Sequence, residues 1–126
     1  MKTVLVVDDE RDIREGLRRL LVTEGYRILT AEHGREALDI LDAEPVDVVL
    51  CDLKMPVMGA TGVLEKVGAS CPSLPVIVLT GQGTVANVTE CMKKGAYDFV
   101  TKPFRTGDVI STVKCAMERL PPPQKR

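Results

Sequence analysis

Thr3–Asp9 reads TVLVVDD, five apolar or β-branched residues in a row closed by two acids. A half-exposed strand alternates apolar and polar side chains. This run does not alternate, as expected of a strand covered on both faces in a parallel sheet. Val46–Cys51 is likewise nearly all apolar and ends at Asp52, and Pro75–Leu79 is closed by Thr80–Gly81. Tyr26–Ala31 and Phe99–Thr101 read as two weaker strands. Between these runs the apolar residues recur with the period of a helix. Ile13, Leu17, Leu20 and Leu21 share one face of a helix ending near Gly25, and Ala37, Leu38 and Leu41 mark a short helix after Gly34. Val63, Leu64 and Val67 point inward from a third helix. Val85, Val88 and Met92 mark a fourth, ending near Lys94–Gly95, where glycine commonly caps. The last helix bears Val109, Ile110, Val113, Ala116, Met117 and Leu120 and stops at Pro121. A strand followed by a helix, five times over, predicts a doubly wound α/β fold with a five-stranded parallel sheet.

The 126 residues fit one domain, and 44% of them are apolar. A domain of this size buries roughly two-thirds of its unfolded surface and needs neither disulfide nor metal to fold. Aromatic residues make up only 3%, with no Trp, so the core is aliphatic and base-stacking platforms for nucleic acid are not expected. A net charge of −1 provides no basic field either, and direct nucleic-acid binding is not expected. Cys51, Cys71, Cys91 and Cys115 form no CxxC pair and no cluster with histidine. They read as reduced core residues rather than zinc ligands or disulfide staples. No leader peptide is visible, and no apolar stretch approaches the roughly 20 residues of a membrane span. The expectation is a soluble cytoplasmic domain over residues 1–120. Residues 121–126, with Pro121–Pro123 stiff and extended, are a plain tail or the start of a linker. On this reading no room remains for an effector domain within the chain.

The polar residues fall where an open parallel sheet keeps its ligand crevice, beyond the carboxyl ends of the strands. Asp8 and Asp9 follow the first strand, Asp52 ends the third, Thr80 the fourth and Lys102 the fifth. With strand order 2-1-3-4-5, the first and third strands flank the point where the order reverses, and three carboxylates crowd together. At 4 Å and an effective dielectric near 20, each pair repels by about 4 kcal/mol. Protonation of one acid or binding of a hard cation relieves this, and an oxygen-only set favours Mg²⁺. Asp52, ionised at neutral pH, can attack phosphorus without a general base. Mg²⁺, Lys102 and the Thr80 hydroxyl can stabilise the phosphoryl oxygens. The one histidine, His33, reads as a loop residue.

VLVVDDE at Val4–Glu10, DLKMP at Asp52–Pro56, LTG at Leu79–Gly81 and KP at Lys102–Pro103 resemble the receiver domain of two-component response regulators. The likeness runs from Lys2 to about Leu120. It implies a flavodoxin-like (βα)₅ fold and Mg²⁺-dependent phosphorylation by a partner histidine kinase or phosphotransfer protein. By position, Asp52 would be the phosphoacceptor, and Asp8 and Asp9 would hold Mg²⁺ together with Asp52 and the backbone carbonyl of Lys54. Thr80 would be the switch hydroxyl, Lys102 the lysine contacting the phosphoryl group, and Phe99 the aromatic whose burial accompanies activation. The Lys102–Pro103 peptide is expected cis. The face made by helix four, strand five and helix five would be the output surface, and a homodimer could form through it. Such a domain catalyses only its own phosphorylation and dephosphorylation. It then acts on a downstream protein or on a C-terminal output domain absent from this chain.

One feature departs from the receiver pattern. Receivers place glycine eight residues past the phosphoacceptor, whereas here Ala60 stands there and Gly59 comes one earlier. The loop is therefore expected to take its own course. Gly95–Phe104 looks like receivers fused to ATPase-type activators or sensor kinases. Two other readings compete: a Mg²⁺-dependent phosphatase or phosphotransferase with an Asp nucleophile, and a receiver-like scaffold that is never phosphorylated. The first commonly places a second acid two residues after the nucleophile, where this chain has Lys54. Locally, Asp8–Asp9 could be a helix N-cap and Phe99 a core-edge aromatic.

Overall fold

A computed structural model describes residues 1–81 and 85–123, with the side chain of Val85 and the last three residues of the expected tail outside the description. The strands are β1 (Thr3–Val7), β2 (Arg27–Ala31), β3 (Val48–Asp52), β4 (Val76–Thr80) and β5 (Asp98–Thr101). They alternate with α1 (Arg11–Thr23), α2 (Gly34–Ala43), α3 (Ala60–Ser70), α4 (Val85–Lys93) and α5 (Thr106–Met117). All four strand pairings are parallel, in the order β2-β1-β3-β4-β5. The predicted doubly wound sheet is the observed one.

The continuous apolar runs are explained by two separate cores. Every residue of β1, β3 and β4 is buried. Val4, Val6, Val48, Leu50, Ile77 and Leu79 pack with Leu17 and Leu21 of α1 and Val109, Val113 and Ala116 of α5. The intervening Leu5, Val7, Val49, Cys51, Val76 and Val78 pack on the other face with Ala37 of α2, Val63, Leu64 and Val67 of α3, and Cys91 of α4. Strand side chains alternate between faces, so a strand must be apolar throughout when both faces are covered. Edge strand β2 is covered less and begins with the exposed Arg27.

Several expected boundaries shift. β3 begins two residues after Val46 and includes Asp52, and β4 extends through Thr80. Helix α5 ends at Met117, where Arg119 takes a left-handed φ of 57° and the Leu120 N–H donates to the Cys115 carbonyl at 2.9 Å. Leu120 thus lies outside the helix and is half exposed. Among the described side chains of α4 the buried one is Cys91, and Met92 is exposed. Apolar residues lie on more than one side of this helix, so spacing alone does not select the inward one. Cys51 and Cys91 are core residues, but Cys71 is exposed at the end of α3; all four cysteines are free. His33 caps α2, its Nδ1 accepting from the Glu36 N–H at 3.2 Å, while the Glu36 carboxylate accepts from the Glu32 N–H at 2.6 Å. No described helix is long and apolar enough to cross a membrane.

Candidate functional site

Strand register brings the polar residues to one rim. Val7 pairs with Cys51, Asp52 with Leu79, and Thr80 with Thr101, so Asp8, Asp52, Thr80 and Lys102 arrive at neighbouring positions. Backbone bonds hold the strand exits. The Asp8 N–H donates to the Ala31 carbonyl at 3.1 Å, Leu53 to Leu79 at 2.8 Å, and Lys102 to Thr80 at 2.7 Å. The peptide between Lys102 and Pro103 is cis, as expected.

The Lys102 ammonium lies among three acids. Nζ stands 2.8 Å from Asp8 Oδ2, 3.4 Å from Asp52 Oδ2 and 3.9 Å from Glu10 Oε1. Asp8 is wholly buried; its Oδ1 accepts from the Glu10 N–H at 2.9 Å, and Arg14 donates to its backbone carbonyl at 2.9 Å. Burial, and then the negative charge of Asp8, push the Asp52 carboxyl up to about 6 against the opposing pull of Lys102. Burial also works against the Lys102 ammonium. Its hydrogen bond to Asp8, with the charges of Asp8 and Asp52, nevertheless holds its pKa above the ordinary lysine value.

Carboxylate oxygens of Asp8, Asp9 and Glu10 all lie within 4.8 Å of one another. Glu10 is the member the sequence reading left out. Its signal was present as the third acid of the DDE run, but a carboxylate at the start of a helix also reads as a favourable charge for the helix dipole. Asp52 joins the group through Lys102. Thr80 is buried at the same rim, its hydroxyl donating to the Gly81 carbonyl at 3.1 Å. Phe99 is set back from the rim, opposite Val78 on β5, and packs with the core shared by α2, α3 and α4. Lys54 is exposed.

The glycine shift after Asp52 has a steric cause. Gly59 is the residue before α3, and a β-carbon there would stand 2.4 Å from the Leu53 carbonyl oxygen and 3.5 Å from the Lys54 α-carbon. The loop folds back tightly enough that only glycine fits at 59. Ala60, fully buried, donates its N–H to Leu53 at 3.3 Å. The Met58 N–H donates to Pro56 at 2.8 Å, and Val57 between them takes a φ of 73°.

The response regulator receiver domain profile matches residues 4–114. This chain is a member of that family. An NtrX-like response regulator of Rickettsia bellii is 38% identical over 117 residues, covering 91% of this chain and 24% of the relative. Response regulator MprA of Mycolicibacterium vanbaalenii is 34% identical over 119 residues, covering 94% of this chain and 52% of the relative. This receiver domain thus spans about a quarter to a half of those relatives' lengths. Among solved structures, the beryllofluoride-activated NtrC4 receiver domain dimer matches with a TM-score of 0.89 and 38% identity, over 94% of this chain and 98% of that one. Phosphorylation and magnesium are general to receiver domains of two-component systems.

Proposed function

We propose that this receiver accepts a phosphoryl group on Asp52 from a histidine kinase or phosphotransfer protein and thereby switches its interaction surface. The observation that supports this most is the convergence of buried Asp8 and Asp52 with the partly buried Lys102 at the carboxyl ends of three strands. The donor set fits a hard divalent cation, since the clustered side chains offer carboxylate oxygen and neither imidazole nor thiolate. Asp8, Asp9 and Asp52, with the Lys54 backbone carbonyl, would hold Mg²⁺, and Glu10 stands beside them. When bound, the ion offsets the charge of the incoming phosphoryl oxygens.

The chain's own residues supply the rest. An Asp52 oxygen attacks phosphorus and an acyl phosphate bond forms. The donor's nitrogen–phosphorus bond breaks, and its electron pair stays on the imidazole nitrogen. A carboxylate whose pKa is lifted to about 6 is still mostly ionised at neutral pH, and it is more basic than an ordinary aspartate. Lys102, already 3.4 Å from Asp52, faces the transferred oxygens. The Thr80 hydroxyl turns from the Gly81 carbonyl toward the phosphoryl group, and Phe99 follows. The equilibrium shifts because the phosphoryl oxygens meet Thr80 and Lys102 better in one packing than in the other. Catalysis is confined to the domain's own phosphorylation and dephosphorylation, in the cytoplasm. The face of α4, β5 and α5 carries the output, including pairing with a second copy; the similar beryllofluoride-activated NtrC4 receiver domain is itself a dimer. Residues 1–120 form the receiver, and residues 121–126 are a tail or the start of a linker to an output domain.

A small acyl phosphate with Mg²⁺ tests this. Wild-type protein takes up one acid-stable, base-labile phosphoryl group per chain; chelating the metal, or Asp52→Asn, abolishes uptake. Equal labelling of Asp52→Asn would overturn the assignment.

A further inference from the structure

The loop from Leu53 to Gly59 carries the proposed Lys54 metal carbonyl, and it is fastened to α2. The Gly34 N–H, at the first turn of α2, donates to the Met58 carbonyl at 2.9 Å. A β-carbon on Gly34 would stand 2.7 Å from that carbonyl oxygen and 2.8 Å from the Met58 γ-carbon. A β-carbon on Gly62, in α3, would stand 2.6 Å from the same γ-carbon and 3.2 Å from the sulfur. Two helices therefore each present a glycine to one methionine side chain, which also packs against the core. On one side of Met58, Val57 holds a left-handed φ of 73° with 79% of its surface exposed, a conformation that a β-branched residue adopts only under constraint. On the other, Gly59 presses against the Leu53–Lys54 peptide. The contacts run unbroken from α2 and α3 through Met58 and Gly59 to the backbone of Lys54.

We propose that Met58 is a positioning residue, a peg seated between Gly34 and Gly62, which fixes the Lys54 carbonyl and so sets the affinity of the site for Mg²⁺. The inference rests on the reading of Lys54 as a metal-binding carbonyl. Its chemistry is steric: an unbranched thioether fills a slot whose walls are two hydrogen-bearing α-carbons, and the carbonyl of the same residue is held by one of those walls. Packing of α2 against α3 is thereby tied to the loop that carries this carbonyl.

The test compares wild type with Met58→Ala, Met58→Leu, Gly62→Ala and the double variant Gly62→Ala/Met58→Ala. Two quantities are read: the Mg²⁺ dissociation constant by calorimetry, and exchange of the Gly34 amide in metal-free protein. Met58→Ala and Gly62→Ala each weaken Mg²⁺ by about 10-fold, the scale of lost support around a metal ligand, and speed Gly34 exchange. Met58→Leu, which keeps a γ-carbon in the slot, retains most of the affinity. In the Met58→Ala background, Gly62→Ala has no further effect, because the atom it would strike is gone. At saturating Mg²⁺ the variants recover phosphorylation, which a general loss of folding would not allow. Unchanged Mg²⁺ affinity in Met58→Ala and Gly62→Ala, with wild type binding normally, overturns the peg alone. Failure of wild type itself to bind Mg²⁺ overturns the reading of the site and the peg with it. Should Gly62→Ala fail to fold, the Met58→Ala and Met58→Leu pair decides on the same two readouts.

Discussion

The two ends of the sheet treat their polar groups in opposite ways. At the amino end, the Asp47 carboxylate accepts from the Thr3 N–H at 2.8 Å, the Tyr97 hydroxyl donates to the Leu120 carbonyl at 2.6 Å, and Arg119 donates to the Asp47 carbonyl at 3.3 Å. Each of these charges or dipoles meets a complementary group, and the arrangement ties α5 and the β3 entry to the sheet. At the carboxyl end, Asp8 and Asp52 are both buried, burial and the charge of Asp8 disfavour ionisation of Asp52, and the Lys102 ammonium stands between them. One end is built for stability. The other retains electrostatic strain that a bound cation can relieve.

Breaking the carboxyl end at its cation should have the largest effect. Lys102→Met leaves buried Asp8 without its ammonium, and removing one partner of a buried pair costs about 3–5 kcal/mol. In metal-free protein at pH 7.5 the melting midpoint should fall by more than ~10 °C, and added Mg²⁺ should restore part of it. A midpoint within ~2 °C of wild type would show that Asp8 needs no counter-charge.

Asp52→Asn should act in the opposite direction and by less. The folded pKa of Asp52, about 6, lies above its ordinary 3.8, so the folded chain holds this proton more tightly than the unfolded chain. The associated stability is fully present below pH 3.8 and is lost as pH rises through about 6. Neutral asparagine escapes that loss. The metal-free variant should therefore be more stable than wild type by about 1–3 kcal/mol at pH 7.5, with the gain disappearing toward pH 4. Melting curves across that range check the sign: a variant less stable than wild type at pH 7.5 would mean that Lys102 outweighs burial and Asp8.

Asp47→Ala, at the amino end, should have the smallest effect. Losing the bond to the Thr3 N–H should cost about 1–2 kcal/mol without altering Mg²⁺ affinity or phosphorylation. A change in Mg²⁺ affinity would erase the contrast between the two ends.

Much of this was legible before folding. The runs at β1, β3 and β4 are apolar throughout because both faces are covered, and the acids, threonine and lysine mark the ends of those strands. Less legible was which side of a mixed helix turns inward, as Cys91 in place of Met92 shows. Spacing locates a face only when the opposite face is polar. Leu120 continues the apolar period of α5, yet the helix ends earlier in a left-handed turn. Glu10 was hidden by its second plausible role at a helix start. The displaced glycine was visible as a departure, but its cause, the close return of the chain onto Leu53, was not.

By itself the sequence determined the alternation of strands and helices, the parallel sheet and the identity of its polar rim, because these follow from periodicity and from residues at strand ends. Only the tertiary structure decided which neighbours those residues meet. The pairing of Lys102 with Asp8, the rise in the Asp52 pKa and the seating of Met58 between Gly34 and Gly62 each join segments distant in the chain. Their distances and desolvation exist only once β1, β3, β5, α2 and α3 have packed, so no local pattern in the sequence encodes them.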